Sequence, residues 1–392
     1  MNNNFLALFF AKNNSVRCAK IRLKVLFGAA AISFASCRTE PPVIDGSGSG
    51  DLASIEYAPT PDTIKAPPLF PKMVIPVGNP MTKQGVALGR RLFYDPILSS
   101  DSSLSCSSCH HTAGGFTDNL ALSRGVLGLA GKRSAMSLEN VGFYTKGLFW
   151  DGRVSTLEQQ AEMPITDHLE MNESWDRAVD KLRRHSDYPK YFREAFGIKN
   201  KSEISKELAV KALSQFERTI VSSGKAKYDR APLPFGQGAY QYSDDEIAGK
   251  GLFFNEDGFR DAQCGHCHNA PLFTTNEFLN NGLDSVADLD NFLDKGLGGF
   301  SGKKLDNGKF RVTSLRNIEF SAPYMHDGRM QTLEQVMEHY HSGGKGSDNI
   351  SPLVKSIPLA QLTPTEIKQI IAFMKTLSDT TLLNNPALKS PF

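Results

Sequence analysis

Two five-residue stretches decide how this chain is read: Cys106-Ser107-Ser108-Cys109-His110 and Cys264-Gly265-His266-Cys267-His268. Each is Cys-x-x-Cys-His, the attachment motif of c-type haem. The spacing has a chemical reason. Thiols at i and i+3 lie about one helical turn apart, which suits the two vinyl groups of one porphyrin, and the following His meets the iron from the same side. A structural zinc site would need the two pairs to converge from distant parts of the chain. A redox dithiol has no use for a following His, twice over. The reading is therefore two covalently bound haems c, held by Cys106, Cys109 and His110 and by Cys264, Cys267 and His268.

Working outward, the chain repeats itself around these motifs. Upstream, Leu88-Gly-Arg-Arg-Leu-Phe93 answers Ala248-Gly-Lys-Gly-Leu-Phe253. Downstream, Gly131-Lys132 with Ser137-Leu-Glu-Asn140 answers Gly308-Lys309 with Ser314-Leu-Arg-Asn317. Then Asp151-Gly-Arg-Val-Ser-Thr-Leu-Glu-Gln159 answers Asp327-Gly-Arg-Met-Gln-Thr-Leu-Glu-Gln335. The same order in both halves indicates a tandem duplication. We expect domains at 76–235 and 236–392, with the boundary near Pro232 to Gly238. Thr156 with Gln159, and Thr332 with Gln335, fit the capping-box pattern of a helix start. Segments 203–220 and 364–378 carry apolar residues at helical spacing, and no long alternating stretch argues for a sheet. The expected fold is mostly α, two tandem cytochrome c-like domains with one covalent haem each.

The 392 residues suit two or three domains. With 40% hydrophobic and 22% charged residues, the chain is neither disordered nor a disulfide scaffold. Its net charge of +2 gives no reason to expect nucleic acid. The excess is local: Lys12, Arg17, Lys20, Arg22 and Lys24 precede the apolar run Val25 to Ala35, with no acid among residues 1–36. That pattern reads as a secretory signal over 1–37, and the run is too short to span a bilayer. Phe34-Ala35-Ser36-Cys37 resembles a bacterial lipoprotein box with Cys37 acylated; the alternative is ordinary cleavage with Cys37 incidental. Residues 38–75, rich in Gly, Ser and Pro, read as a flexible tether. The expected location is the periplasmic side of a bacterial membrane, held there only by a lipid anchor. Of the six cysteines, Cys18 and Cys37 sit in the leader, so the body keeps none for a structural disulfide.

The repeat lets one half interpret the other. Tyr340 stands at the same distance beyond Asp327-Gly-Arg as Pro164 does beyond Asp151-Gly-Arg. A tyrosine can ligate haem iron and a proline cannot. If this position faces the distal side, one iron is closed and the other open. Tyr340 has rivals in Met337, His339 and His341, and the plain alternative is a buried, hydrogen-bonded tyrosine. Splitting peroxide needs a group that moves a proton between its oxygens. Near Pro164 that group is Glu170, with Gln160 as hydrogen-bond partner and His168 as rival. Trp150 occupies the position of His326 in the other repeat, and serves either as an electron stepping stone between haems or as packing.

These residues resemble the bacterial dihaem cytochrome c peroxidases and their relative MauG, from about residue 70 onward. The likeness rests on the paired motifs, Phe149-Trp-Asp-Gly-Arg153, Leu169-Glu-Met-Asn172, Leu315-Arg-Asn317, Ala322-Pro-Tyr-Met-His-Asp-Gly328 and the closing Leu362-Thr-Pro-Thr-Glu366 helix. The resemblance implies peroxide reduction at the N-terminal haem, with electrons entering through the C-terminal one. It places the catalytic Glu at Glu170, the pocket Gln and Pro at Gln160 and Pro164, and the bridging Trp at Trp150. The Met that ligates the second haem in ordinary members falls on Tyr340, as the ligand Tyr of MauG does. Residues 112–167 contain no His, whereas many ordinary peroxidases carry a removable His in the loop after the first motif. The family's inter-haem calcium would touch Ser134, where others have Asn, together with Ser321 and Pro323. Three readings follow. The favoured one is a peroxidase taking hydrogen peroxide to water, with electrons from a small c-type cytochrome or cupredoxin. The alternative is a MauG-like enzyme whose high-valent haem pair oxidises residues of a partner protein. The third is a dihaem electron carrier without catalysis, against which Glu170 and the vacant Pro164 side argue.

Overall fold

In this computed structural model the described residues are 51–231, 241–256, 258 and 262–392. The leader, Cys37 and the anticipated domain boundary at 232–238 lie outside them. The helices of nine or more residues are α1 (Lys83–Tyr94), α2 (Leu157–Thr166), α3 (Trp175–Arg184), α4 (Tyr188–Phe196), α5 (Lys206–Glu217), α6 (Asp244–Phe254), α7 (Leu333–His341) and α8 (Pro364–Lys375). One two-stranded antiparallel pair, β1 (Phe278–Leu279) and β2 (Phe310–Arg311), joins Phe278 to Arg311. The fold is mostly α-helical, with long loops. None of its helices is long and apolar enough to cross a membrane, among the described residues.

The repeat in the sequence is a repeat in space. Thr82 caps α1 by accepting from the Gly85 N–H, and the Leu88, Gly89, Leu92 and Phe93 stripe is buried against α5. Ser243 and Glu246 form a reciprocal cap on α6, whose Gly249, Leu252 and Phe253 are buried and which crosses α8. A Cβ on Gly89 would overlap the Ala212 carbonyl, and one on Gly249 would overlap the Gln369 carbonyl. The shared Gly-x-x-Leu-Phe is thus a crossing point. Glycine lets two helix backbones meet, and the Leu–Phe pair fills the core beside them. Each crossing seeds its own apolar core. Leu92, Phe93, Leu213 and Phe216 lie in the first, and Phe253, Phe273, Ile370 and Phe373 in the second.

The Asp-Gly-Arg stretches are equivalent hairpins. Isolated bridges join Leu148 to Val154 and Tyr324 to Met330. Phe149 and Met325 both take positive φ, as do Gly152 and Gly328. The Thr156 and Thr332 hydroxyls then accept from the Gln159 and Gln335 N–H groups and start α2 and α7. The two glutamines complete the cap one residue further back than the capping-box pattern has it. Each side-chain oxygen accepts from the N–H of the residue before the threonine, Ser155 or Gln331.

Two segments stitch the lobes together. Residues 51–75, expected as part of a flexible tether, instead lie against the body. The Leu52 N–H donates to the Lys199 carbonyl at 2.8 Å, Arg193 Nε donates to the Ile55 carbonyl at 2.8 Å, and Phe70 and Met73 join a small core with Phe143, Val221 and Leu272. Prolines remove N–H donors without preventing apolar anchors from docking. At the other end, Leu382 and Leu388 return to the first core, and Arg90 Nε donates to the Lys389 carbonyl at 2.7 Å.

Candidate active site

Each haem motif begins a turn that carries its histidine into place. The His110 N–H bonds the Cys106 carbonyl at 3.1 Å, and the His268 N–H bonds the Cys264 carbonyl at 2.8 Å. Both imidazoles are oriented by a backbone carbonyl: Nδ1 of His110 lies 2.9 Å from Phe116 O, and Nδ1 of His268 lies 3.1 Å from Phe273 O. Those carbonyls are delivered by phenylalanines with φ of 63° and 54°. Burial lowers both imidazole pKa values, and a neutral ring that donates through Nδ1 to its carbonyl has Nε2 to offer a metal. No disulfide joins the four cysteines of the body. This donor set fits two haems c.

Above His110 opens a cavity of about 950 Å³, lined also by Cys106, Cys109, Trp150, Gln160, Pro164 and Glu170. It gathers the first motif and all four residues expected for catalysis. Glu170 sits in the turn that follows α2. There its N–H bonds the Asp167 carbonyl at 3.0 Å, its carbonyl accepts from Val126 at 2.9 Å, and Met171 N–H reaches back to the Pro164 carbonyl at 3.2 Å. Burial, aided by the charge of Asp167, pushes the Glu170 carboxyl up to about 7 against the pull of Arg153. Gln160 is buried and its Oε1 has no hydrogen-bond partner. The rival His168 is 71% exposed.

Sequence reasoning missed a second carboxyl in this cavity. Glu217 ends α5, is 3% exposed, and is pushed by burial to about 8; its Oε2 has no hydrogen-bond partner. The repeat held the signal, because Phe216-Glu217-Arg218-Thr219 stands where the second half has Phe373-Met374-Lys375-Thr376.

Trp150 lies at the seam between the two lobes. Its indole N–H donates to the Ser134 carbonyl at 2.9 Å, and its backbone carbonyl accepts from Arg311 at 3.0 Å. Its ring is 6.4 Å from that of His326, edge to face, and His326 stacks on Phe310 at 3.6 Å. Arg133 closes the seam with a two-pronged bond to Asp294, both at 2.7 Å, and a 2.6 Å bond to Asp151. Ser134 spends its N–H on His326 O at 2.8 Å and its hydroxyl on Met325 O at 3.0 Å. The Ser321 hydroxyl donates to Ile318 O, while Asn119 donates to the carbonyls of Phe320 and Ala322. No cluster of three His, Cys, Asp or Glu suited to a metal occurs among the described residues.

On the second side, α7 carries Tyr340 close enough to Cys264 and Cys267 for their charges to act on it; burial raises its phenol to about 12. Of the rivals, His339 is engaged elsewhere. His339 Nε2 lies 2.9 Å from the Asn281 carbonyl, and Met337 is buried in the second core. His341 Nδ1 is buried without a hydrogen-bond partner. Pro164 and Tyr340 sit alike inside α2 and α7.

Comparisons with known proteins agree with this construction. The profile of the family described as di-haem cytochrome c peroxidase matches residues 83–233. The methylamine utilization protein MauG of Methylorubrum extorquens is 35% identical over 306 residues, covering 77% of this chain and 80% of that protein. The cytochrome-c peroxidase IdrP1 of Denitromonas iodatirespirans is 33% identical over 360 residues, covering 83% and 90%. The crystal structure of a MauG-like protein associated with microbial copper homeostasis superposes with a TM-score of 0.74 at 34% identity, over 83% of this chain and 98% of that one. The diheme peroxidase BthA of Burkholderia thailandensis, at 22% identity and a TM-score of 0.62, shares the fold. Duplicated haem turns, a cavity on one side and a tyrosine on the other thus have their place among redox enzymes already known, and the chain belongs to the di-haem cytochrome c peroxidase family.

Proposed function

We propose that this chain is a MauG-like oxidoreductase, which takes oxidising equivalents from hydrogen peroxide at its first haem and spends them on residues of a partner protein. The observation that carries the reading is the buried phenol of Tyr340 near Cys264 and Cys267 of the second motif, while His339 is bonded elsewhere. An anionic oxygen ligand stabilises oxidised iron, whereas the Met of ordinary members raises the potential. MauG of Methylorubrum extorquens and the MauG-like protein of known structure support this over the peroxidase that the sequence alone favoured.

The haems, once attached, supply the iron chemistry that breaks the O–O bond and stores the two oxidising equivalents. The chain's own residues handle the proton. A Glu170 carboxylate oxygen accepts it from the nearer peroxide oxygen and returns it to the farther one as water leaves. A pKa of about 7 lets the carboxyl serve in both directions. Gln160 Oε1 offers an acceptor on the same cavity. Pro164 brings no ligating atom, which leaves room for peroxide in the cavity that His110 also lines. The Ser134 carbonyl holds the Trp150 indole edge-on to His326 at the seam.

A second reading, turnover with a small c-type cytochrome or cupredoxin as electron donor, is supported by the likeness to cytochrome-c peroxidase IdrP1. In either case the leader supports a location on the periplasmic side of a bacterial membrane, lipid-anchored through Cys37 or, with ordinary cleavage, free in the periplasm. Stopped-flow mixing of the oxidised protein with peroxide separates the two. The MauG-like reading expects a long-lived oxidised state without prior reduction. Steady turnover only in the presence of a reduced cytochrome overturns it.

A further inference from the structure

The second haem motif has a neighbour that the first lacks. Between His268 and Leu315 runs a longer arm than between His110 and Leu138. It places Asn281 beside Tyr340. The Asn281 Nδ2 group donates to the Tyr340 hydroxyl oxygen at 3.5 Å and to Met325 Sδ at 3.4 Å, one N–H for each acceptor.

The backbone that carries this amide is clamped on both sides. The neighbouring Asn280 donates through Nδ2 to Ser347 Oγ at 2.9 Å and to Asn349 Oδ1 at 2.8 Å. The Asn280 carbonyl accepts from Ser351 at 2.9 Å, and the Gly282 carbonyl from Lys345 at 2.6 Å. Gly282 itself has φ of 71°, and a Cβ there would strike Ile350. The Asn281 carbonyl accepts from His339, one residue before Tyr340 on α7. The Asn281 backbone is therefore fixed relative to the helix that carries the phenol, by bonds in which the Asn281 side chain takes no part.

We propose that Asn281 is a positioning residue that donates a hydrogen bond to the Tyr340 oxygen when that oxygen is bound to iron, and so tunes the potential of the second haem. This rests on the reading of Tyr340 as a ligand. A bound phenolate carries negative charge, and hydrogen bonds to charged acceptors are shorter and stronger than neutral ones. The donor draws electron density away from the iron. It offsets part of the phenolate's preference for oxidised metal. Hydrogen bonds to the atoms that ligate a metal are a general lever on its potential. Met325 fills the second N–H of the same amide and keeps it turned toward the phenol.

The test is spectropotentiometry of the dihaem protein with Asn281→Leu and Asn281→Asp, both close in size and neither able to donate when the Asp is ionised. The midpoint of the second haem should fall in the order wild type, Leu, Asp, and its low-spin magnetic resonance signal should shift. The first haem should not move. Resonance Raman of the wild type in heavy water adds a measurement that needs no variant, since the phenolate C–O band should shift on exchange of the donor. An unmoved midpoint in a folded Leu variant, or an unmoved band in heavy water, overturns the proposal. Tyr340→Phe tells the two failures apart. If it leaves the second haem's signal unchanged, the ligand reading falls; if it alters that signal while Asn281→Leu does not, only the role of Asn281 falls.

Discussion

The two halves of this protein share a scaffold and differ where chemistry would happen. Both have a glycine crossing, a histidine turned by a phenylalanine carbonyl, and an Asp-Gly-Arg hairpin leading to a Thr-capped helix. At one equivalent place, the first offers Pro164 beside a cavity with two carboxyls of raised pKa, and the second offers Tyr340 beside a single amide donor. Holding a haem takes many residues, and these were kept in both copies. Giving a haem its task takes few, and these diverged. A duplicated fold therefore separates the parts that build a site from the parts that use it.

The comparison is tested most severely at Glu170. Glu170→Gln should slow peroxide consumption by about 10² to 10⁴, the range for a general acid–base group, and leave the resting spectra of both haems in place. With the carboxylate as the proposed base, the wild-type rate should rise as the pH passes about 7, and the variant should lose that rise. A wild-type rate in Glu170→Gln would move the proton to His168 or Glu217. Next comes Tyr340→Met. It should raise the second haem's potential by about 0.1 V or more, within the roughly 0.8 V that axial ligands span, and favour turnover with a reduced cytochrome. A midpoint equal to wild type would mean that Tyr340 is not the ligand.

The scaffold itself is tested by symmetry. Gly89→Ala and Gly249→Ala should each cost about 1–3 kcal/mol in denaturant titration, because the new methyl meets backbone that cannot yield. A large effect in one lobe and none in the other would break the equivalence of the crossings. The smallest pair is Thr156→Ala and Thr332→Ala. Each removes a capping acceptor and should cost about 1 kcal/mol.

Much of this was legible before any coordinates. Motif spacing located the haem turns, and periodicity located α5 and α8. Chain order alone paired Pro164 with Tyr340. What escaped depends on contacts between distant residues. The seam of Arg133 with Asp294, and of Trp150 with His326 and Phe310, joins loops that no local pattern connects. Glu217 looks like an ordinary polar residue at a helix end; its place opposite Met374 in the repeat hinted at burial, and the packing of α5 shows it. Residues 51–75 were misjudged for a different reason. Proline and glycine content reports the absence of regular structure, which is not the same as mobility. Phe70 and Met73 are enough to dock such a segment.

The return of Leu382 and Leu388 to the first core has a consequence for the order of assembly. A ribosome releases the first haem motif early, yet the apolar cluster around α1 lacks its last members until the final dozen residues have been made. The N-terminal lobe is the first to be synthesised and among the last to be complete. The tail that completes the core is also tied to α1, where Arg90 donates to the carbonyls of Pro386 and Lys389. Clipping that tail should loosen the older half of the molecule before the younger one.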